Sequence, residues 1–192
     1  MQLNTSIKEN VMSDFERTLI ILKPDTLQRG LVGEIITRFE RAGLKIVAMK
    51  MVAPDELHFH KHYEGISNLI SRWGEDVYNT VLAHMTQAPV IAFVLEGIEA
   101  VSYARKLVGA TDPRESAPGT IRGDYTHVTV NYAKSLGTTL PNVVHASGNL
   151  KEAAQEVKLW FDATEIYDGY DTAQGPIIRG HIPNKIKSDE SL

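Results

Sequence analysis

The run Thr18-Leu19-Ile20-Ile21-Leu22, closed by Lys23-Pro24-Asp25, decides how this chain folds. Its unbroken apolar and β-branched character, ended by a proline, reads as a buried central strand. A lysine directly after such a strand is placed to face a ligand at the sheet edge, although a solvated loop lysine has the same local sequence. Downstream, Leu31, Ile35, Ile36 and Phe39 share one stripe of a helix expected over residues 30–42, with Gly43 as its stop. A second strand is expected over 44–52. Pro54-Asp55-Glu56 then opens a helix with acidic residues in its first turn. A further helix is expected over 76–85, with 65–74 as an irregular or helical lead-in.

The pattern continues with a strand over 89–96 and a helix over 97–108. Residues 109–124, rich in Gly, Pro, Asp, Ser and Thr, read as a long loop, and loops of that length inside a compact domain are usually functional. A short alternating strand is expected over 127–131 and an inserted loop over 132–141. Leu150, Ala153, Ala154, Val157, Trp160 and Phe161 form the apolar stripe of a last helix beginning near Asn149. This order predicts an α/β (α+β) fold of the ferredoxin-like βαββαβ kind, one helical layer on a small antiparallel sheet. One domain over 15–161 is expected, preceded by a flexible extension over 1–14. A tail over 162–192 would wrap the domain or a neighbouring subunit.

With 192 residues, 43% hydrophobic and 23% charged, the composition is that of one ordinary globular domain. The net charge of −4 argues against a nucleic-acid partner or a membrane surface, but not against a phosphorylated small molecule in a local basic pocket. The absence of cysteine rules out disulfides, zinc-thiolate sites and thiol nucleophiles. The polar N-terminus lacks a signal-peptide core, and no apolar run reaches the ~18 residues that span a bilayer. A cytoplasmic protein is expected.

Two stretches carry chemistry. Asn142-Val143-Val144-His145-Ala146-Ser147-Gly148-Asn149 puts a histidine at the mouth of the last helix. Upstream, Ala117-Pro118-Gly119-Thr120-Ile121-Arg122-Gly123-Asp124 is a punctuated loop carrying an arginine. Helix N-termini bind anions and arginine holds phosphate oxygens in a fork, so the pair suits phosphate chemistry. His58 and His62 share a helix face while His60 points elsewhere. They read as solvated histidines rather than metal ligands, which need a converging third partner. Lys23, Tyr63, Arg105, Thr111, Arg122, Asn142, Ser147 and Glu156 can be gathered around His145 by this architecture. Such a set resembles a triphosphate site without a Walker loop, whose G-x-x-x-x-G-K-[ST] pattern is absent.

At these residues the sequence resembles the nucleoside diphosphate kinase family, across nearly 17–161. The matching stretches include Lys23-Pro24-Asp25, Gln28-Arg29-Gly30-Leu31-Val32-Gly33-Glu34, His62-Tyr63, Pro118-Gly119-Thr120-Ile121-Arg122-Gly123-Asp124 and Asn142-Val143-Val144-His145-Ala146-Ser147. The resemblance implies a ping-pong phosphotransferase in which His145 takes the γ-phosphoryl group from a nucleoside triphosphate and passes it to a diphosphate. Glu156 would orient His145. Lys23, Arg105 and Arg122 would hold phosphates, with Tyr63 near the lysine and Thr111 supplying a hydroxyl. Asn142 would contact the sugar and Ser147 would stand beside the histidine. Mg²⁺ would ride on the nucleotide phosphates, with no direct protein ligand. A homo-oligomer is implied, hexamer before tetramer, with the 112–119 loop at its contacts.

Three departures from the family pattern stand out. Gly148 occupies the place of an aspartate common after the serine. The segment between Tyr63 and Met85 is long, and the base-stacking phenylalanine aligns near Val77, with Tyr78 beside it and Trp73 as an alternative. Residues 132–141 are inserted just before Asn142. The alternative to an active enzyme is a low-turnover family member kept as an interaction or regulatory protein.

Overall fold

A four-stranded antiparallel sheet in the order β2-β3-β1-β4 organises the computed structural model, which describes residues 15–175. Its strands are β1 (Phe15–Leu22), β2 (Lys45–Val52), β3 (Val90–Ile98) and β4 (Val144–Ala146). β1 is central: it pairs with β3 from Phe15↔Ile98 to Leu22↔Ile91, and with β4 through Ile20, Ile21 and Leu22. This is the ferredoxin-like βαββαβ arrangement expected from the sequence. The expected extension over 1–14, and the tail beyond 175, lie outside the described residues.

Among the described residues the α-helices are α1 (Pro24–Gln28), α2 (Val32–Arg41), α3 (Glu56–His60), which a π-helical stretch, Lys61–Ile66, continues, α4 (Leu69–Trp73), α5 (Glu75–Met85), α6 (Ala100–Val108), α7 (Ile121–Tyr125), α8 (Val130–Ser135) and α9 (Leu150–Trp160). They cover both faces of the sheet, not one as expected. Ile20 and Leu22 pack with Ile35 and Phe39 of α2 and Ala104 and Val108 of α6. Leu19 and Ile21 face the other way, onto Phe59, Tyr63, Tyr78 and Trp160. All four β1 residues are fully buried, which is why the run shows no alternation in an antiparallel strand. Each such side chain stabilises the fold by about 1.5–3 kcal/mol.

Several boundaries differ from expectation for physical reasons. Residues 127–131 form no strand, because the Thr129 hydroxyl accepts the Tyr132 amide at 3.1 Å and starts α8 instead. The fourth strand is the short β4 around His145. Gly97 and Ile98 remain in β3, paired with Glu16 and Phe15, so α6 starts at Ala100. The 109–124 stretch holds a 3-10 turn, Pro113–Glu115, and α7, capped by the Thr120 hydroxyl.

The α7 segment carries Arg122, and α2 anchors it. Arg38 donates to the Asp124 carboxylate at 2.5 Å, to the Tyr125 hydroxyl at 2.9 Å and to the Gly119 carbonyl at 3.2 Å. A Cβ at Gly123 would come within 2.2 Å of the Ala117 carbonyl, so only glycine permits this close turn. On the far edge, a register shift between Ile46 and Ala48 breaks the β2 ladder. The Val47 carbonyl there accepts the Tyr167 amide at 2.7 Å, and Lys45, Lys50 and Arg17 bind Asp168, Glu165 and Asp168 in turn. The segment after α9 thereby covers a sheet edge that would otherwise be open to pairing. Among the described residues no helix is long and apolar enough to cross a membrane.

Candidate active site

The site is built on a strained residue. Val143 adopts φ 57°, a left-handed conformation that is costly for a β-branched side chain, by about 1–3 kcal/mol. Its amide donates to Asp25 at 3.1 Å, and its carbonyl accepts the Lys23 amide at 2.9 Å and the Thr26 hydroxyl. Asp25 is in turn held by His84 at 3.3 Å. The Lys-Pro-Asp turn after β1 therefore fixes the backbone just before β4. That kink presents Asn142 on one side and His145 on the other.

Asn142 is buried. Its Oδ1 accepts the Lys23 ammonium at 2.6 Å, its Nδ2 donates to the Thr111 carbonyl at 3.1 Å, and its carbonyl accepts Arg122 Nε at 3.2 Å. Arg122 also donates to the carbonyls of Gly109, Ala110 and Val144 at 3.2, 3.0 and 2.7 Å. Withdrawal from water, helped by the charge of Arg122, brings the Lys23 ammonium down to about 8, against the opposing pull of Asp25. Burial, with repulsion from Arg105, likewise lowers Arg122 to about 10. Arg105 is itself exposed on α6 and reaches this group through its charge; the Thr111 residue is also exposed. Buried cations depressed by neighbouring positive charge are poised for an anion, because a bound phosphate would relieve that repulsion.

His145 stands in the middle of β4 with its side chain 17% exposed. Both Glu156 oxygens lie on its Nε2, at 3.1 and 3.2 Å, and Ser147 donates its hydroxyl to Oε2 at 2.6 Å. The Leu19 amide donates to that same hydroxyl oxygen at 3.1 Å, so Ser147 ties the carboxylate to the central strand. Burial pushes the Glu156 carboxyl up, but attraction and hydrogen bonding from His145, then His62 and Ser147, outweigh it and hold the group at about 2. A carboxylate on Nε2 requires the proton there, which leaves Nδ1 with the lone pair of a neutral ring.

The remaining expected residues divide. Tyr63 is buried, its hydroxyl has no hydrogen-bond partner among the described residues, and burial beside Glu156 raises its pKa. Val77 is half-buried on α5 and, among the described residues, takes no part in this hydrogen-bond network. Tyr78 is turned into the core, with its hydroxyl on His60 at 2.9 Å, whereas Trp73 is 58% exposed at the end of α4.

Sequence reasoning missed His62, which is not solvated but fully buried. The signal was present: Phe59, His62, Tyr63 and Ile66 follow helical stripe spacing, which puts His62 on the apolar side. Its ring stands edge-on to His145 with centroids 4.7 Å apart. His62, His145 and Glu156 bring ligand atoms within 4.8 Å of one another. Glu156 is committed to His145 and Ser147, and His62 Nδ1 accepts from Trp160, so the group is held as a hydrogen-bonded cluster, with His62 Nε2 buried and without a hydrogen-bond partner among the described residues.

Gly148 has a local explanation. A Cβ there would come within 2.4 Å of Glu152 Oε2, so the Glu152 carboxylate lies where a side chain at 148 would go. Asn149 locks it in place, donating to Oε1 at 2.8 Å while accepting the Glu152 amide at 2.9 Å. An acidic group thus stands after the serine, supplied from the helix.

Comparison with known proteins identifies the family of this chain. The family model described as nucleoside diphosphate kinase matches residues 16–166. The nucleoside diphosphate kinase of Borreliella burgdorferi is 43% identical over 151 residues, 79% of this chain and 90% of that protein. That of Pyrococcus furiosus is 45% identical over 157 residues, 82% and 89% of the respective chains. Among solved structures, a transition-state mimic of nucleoside-diphosphate kinase from Borrelia burgdorferi, with bound vanadate and ADP, has a TM-score of 0.82 at 40% identity and covers 86% of this chain and 97% of that one. An NDP kinase from Pyrobaculum aerophilum has a TM-score of 0.73 at 36% identity, covering 80% and 100%. On its sequence, its fold and the residues around His145, the chain belongs to the nucleoside diphosphate kinase family.

Proposed function

We propose that this protein transfers the γ-phosphoryl group of a nucleoside triphosphate, usually ATP, to a nucleoside diphosphate through a phosphohistidine at His145. The observation that carries the reading is the pairing of Glu156 with Nε2, which leaves Nδ1 as the nucleophilic nitrogen. In the first half-reaction Nδ1 attacks the γ-phosphorus, the bond to the bridging oxygen breaks, and the diphosphate leaves. In the second half-reaction the incoming diphosphate attacks the phosphohistidine and restores the ring. Glu156 stabilises the positive charge that the ring acquires in each transfer. Lys23, Arg105 and Arg122 neutralise the oxygens of the moving group, which is where catalysis of phosphoryl transfer mostly resides. Tyr63 and Thr111 add hydroxyls to the phosphates, and Asn142 serves the sugar. A relative that holds vanadate and ADP as a transition-state mimic supports this assignment of chemistry.

Family membership brings a divalent-metal-dependent phosphotransfer, and Mg²⁺ is the ion proposed here. The donor set fits it: nucleotide phosphate oxygens would bind it, and the Glu152 carboxylate over Gly148 would hold its water. When bound, the ion draws charge from the phosphate oxygens. Val77 marks the segment that would meet the base, with exposed Trp73 the aromatic candidate beside it. Nucleoside di- and triphosphates are the partners. A homo-oligomer, hexamer before tetramer, would cover exposed Met49 and Met51 on β2. The low-turnover alternative is not favoured, since nucleophile, glutamate, lysine and arginines are all present.

Incubation with γ-labelled ATP tests the reading. An acid-labile, alkali-stable label that discharges to GDP is expected, and failure to label would sink it. The depressed lysine adds a pH prediction. In the free enzyme Lys23 gives up its proton near 8, so the charge that attracts phosphate is present below that pH and fades above it. The ratio kcat/KM is therefore expected to fall above pH 8 while kcat at saturating nucleotide changes less. A flat kcat/KM from pH 7 to 9.5 would contradict it.

A further inference from the structure

His62 and Trp160 touch no expected substrate, yet they bear on how the nucleophile is held. Trp160, 3% exposed at the end of α9, donates its indole N–H to His62 Nδ1 at 3.2 Å. An indole nitrogen can only donate, so His62 Nδ1 must be bare and the single proton of the ring must sit on Nε2. Burial, then the charges of His145, His58 and Lys23, hold the ring neutral, down at about 3, against the opposing attraction of Glu156. Those four groups, from β4, from His62's own helical segment, from the turn after β1 and from α9, are the titratable neighbours that act on it.

The bare Nδ1 also lies 3.9 Å from Glu156 Oε1. A carboxylate beside two imidazoles turns toward whichever presents an N–H. Here the Trp160 bond leaves His62 with only a lone pair on that side, so both Glu156 oxygens stay on His145 Nε2. The edge-on contact, 4.7 Å between centroids with planes at 76°, fixes the plane in which His145 stands. We propose that His62, locked by Trp160 in its Nε2–H tautomer, is a positioning residue that sets the ring of His145 and keeps Glu156 committed to it. The proposal rests on the reading of His145 as the phosphoryl acceptor.

Two measurements test it on the full chain. Nitrogen-15 NMR of the histidine rings in the wild-type protein should show His62 with a bare Nδ1, a protonated Nε2 and no titration between pH 5 and 9. A His62 that carries its proton on Nδ1, or titrates in that range, overturns the proposal without reference to activity. Trp160→Phe keeps a ring but removes the N–H, freeing His62 to place a proton on Nδ1 and draw Glu156 away. Phosphoenzyme formation at saturating ATP should slow about tenfold, with KM for ATP within about twofold of wild type. Its pH profile should shift as His145 loses part of its carboxylate. A wild type that labels normally beside a variant with unchanged rate and pH profile rejects the positioning role alone. A wild type that never labels rejects the proposed function instead. If Trp160→Phe does not fold, the wild-type tautomer still decides.

Discussion

Replacing His145 with alanine is expected to abolish phosphoenzyme labelling and to lower turnover by at least about 10⁴-fold. The size follows from the ping-pong chemistry. With no acceptor in the protein, each transfer would have to occur directly between two nucleotides that share one pocket. The other side chains offer no substitute. Glu156 is buried behind the ring with its oxygens engaged, and Ser147 is fully buried with its proton on Glu156. The fold should survive with a modest penalty whose pH dependence is informative. Glu156 is depressed to about 2 in the folded protein, chiefly because His145 overcomes the effect of burial. A depressed carboxylate contributes stability above its ordinary pKa of 4.5, and that contribution is lost as pH falls toward 2. Without the imidazole, Glu156 rises toward its ordinary value, so the variant should be less stable than wild type at pH 7 and the gap should close in acid. Quenched labelling with ATP and urea denaturation at several pH values measure both effects. A label that survives the substitution would place the acceptor elsewhere.

Much of this was legible because it is local. The β1 run is continuous since both faces of the sheet are covered, and α2 announces itself by a stripe and a stop. Lys23 stands just before Pro24, Arg122 just after Pro118 and Gly119, and His145 just before Gly148, so prolines and glycines mark all three places in the sequence. Other features depend on partners distant in sequence. β4 spans Val144–Ala146, too short for any periodicity, and is a strand only because Ile20, Ile21 and Leu22 offer it an edge. The left-handed Val143 has no signature at all: valine is among the last residues expected there, and Asp25, Lys23 and Thr26 impose the conformation. His62 could have been found on its stripe, but its tautomer could not, because Trp160 lies 98 positions away in sequence. Gly148 read as a missing aspartate, whereas in space its position is filled by Glu152, four residues on. The candidate site is thus written locally in its reacting groups and non-locally in what holds them.

Arg122→Ala is expected to impair transfer and stability together, because the guanidinium has two tasks. In the phosphate-binding reading it supplies charge to the moving group, and a charge-assisted hydrogen bond of about 1.5–3 kcal/mol is lost with it. Transfer should slow by at least about tenfold, and a change under twofold would contradict the assignment. The structure adds the second task. Arg122 is buried, and its three nitrogens bind the carbonyls of Gly109, Ala110, Asn142 and Val144. It therefore staples the end of α6 to both sides of the strained Val143. Truncation strips a donor from each of those carbonyls, leaving Ala110 with the Ser116 hydroxyl and Asn142 with the Val144 amide, and opens a cavity beside β4, for a loss of about 2–4 kcal/mol in urea denaturation. Arg122→Lys separates the two tasks. Lysine restores a positive charge but not the planar fork, so it cannot reach four carbonyls at once. If Arg122 acted through charge alone, the lysine variant would recover most of the transfer rate. Because the same side chain sets the backbone that carries Asn142 and His145, recovery is expected to be small. Single-turnover phosphoenzyme formation in the two variants, compared at equal fractions folded, distinguishes these outcomes.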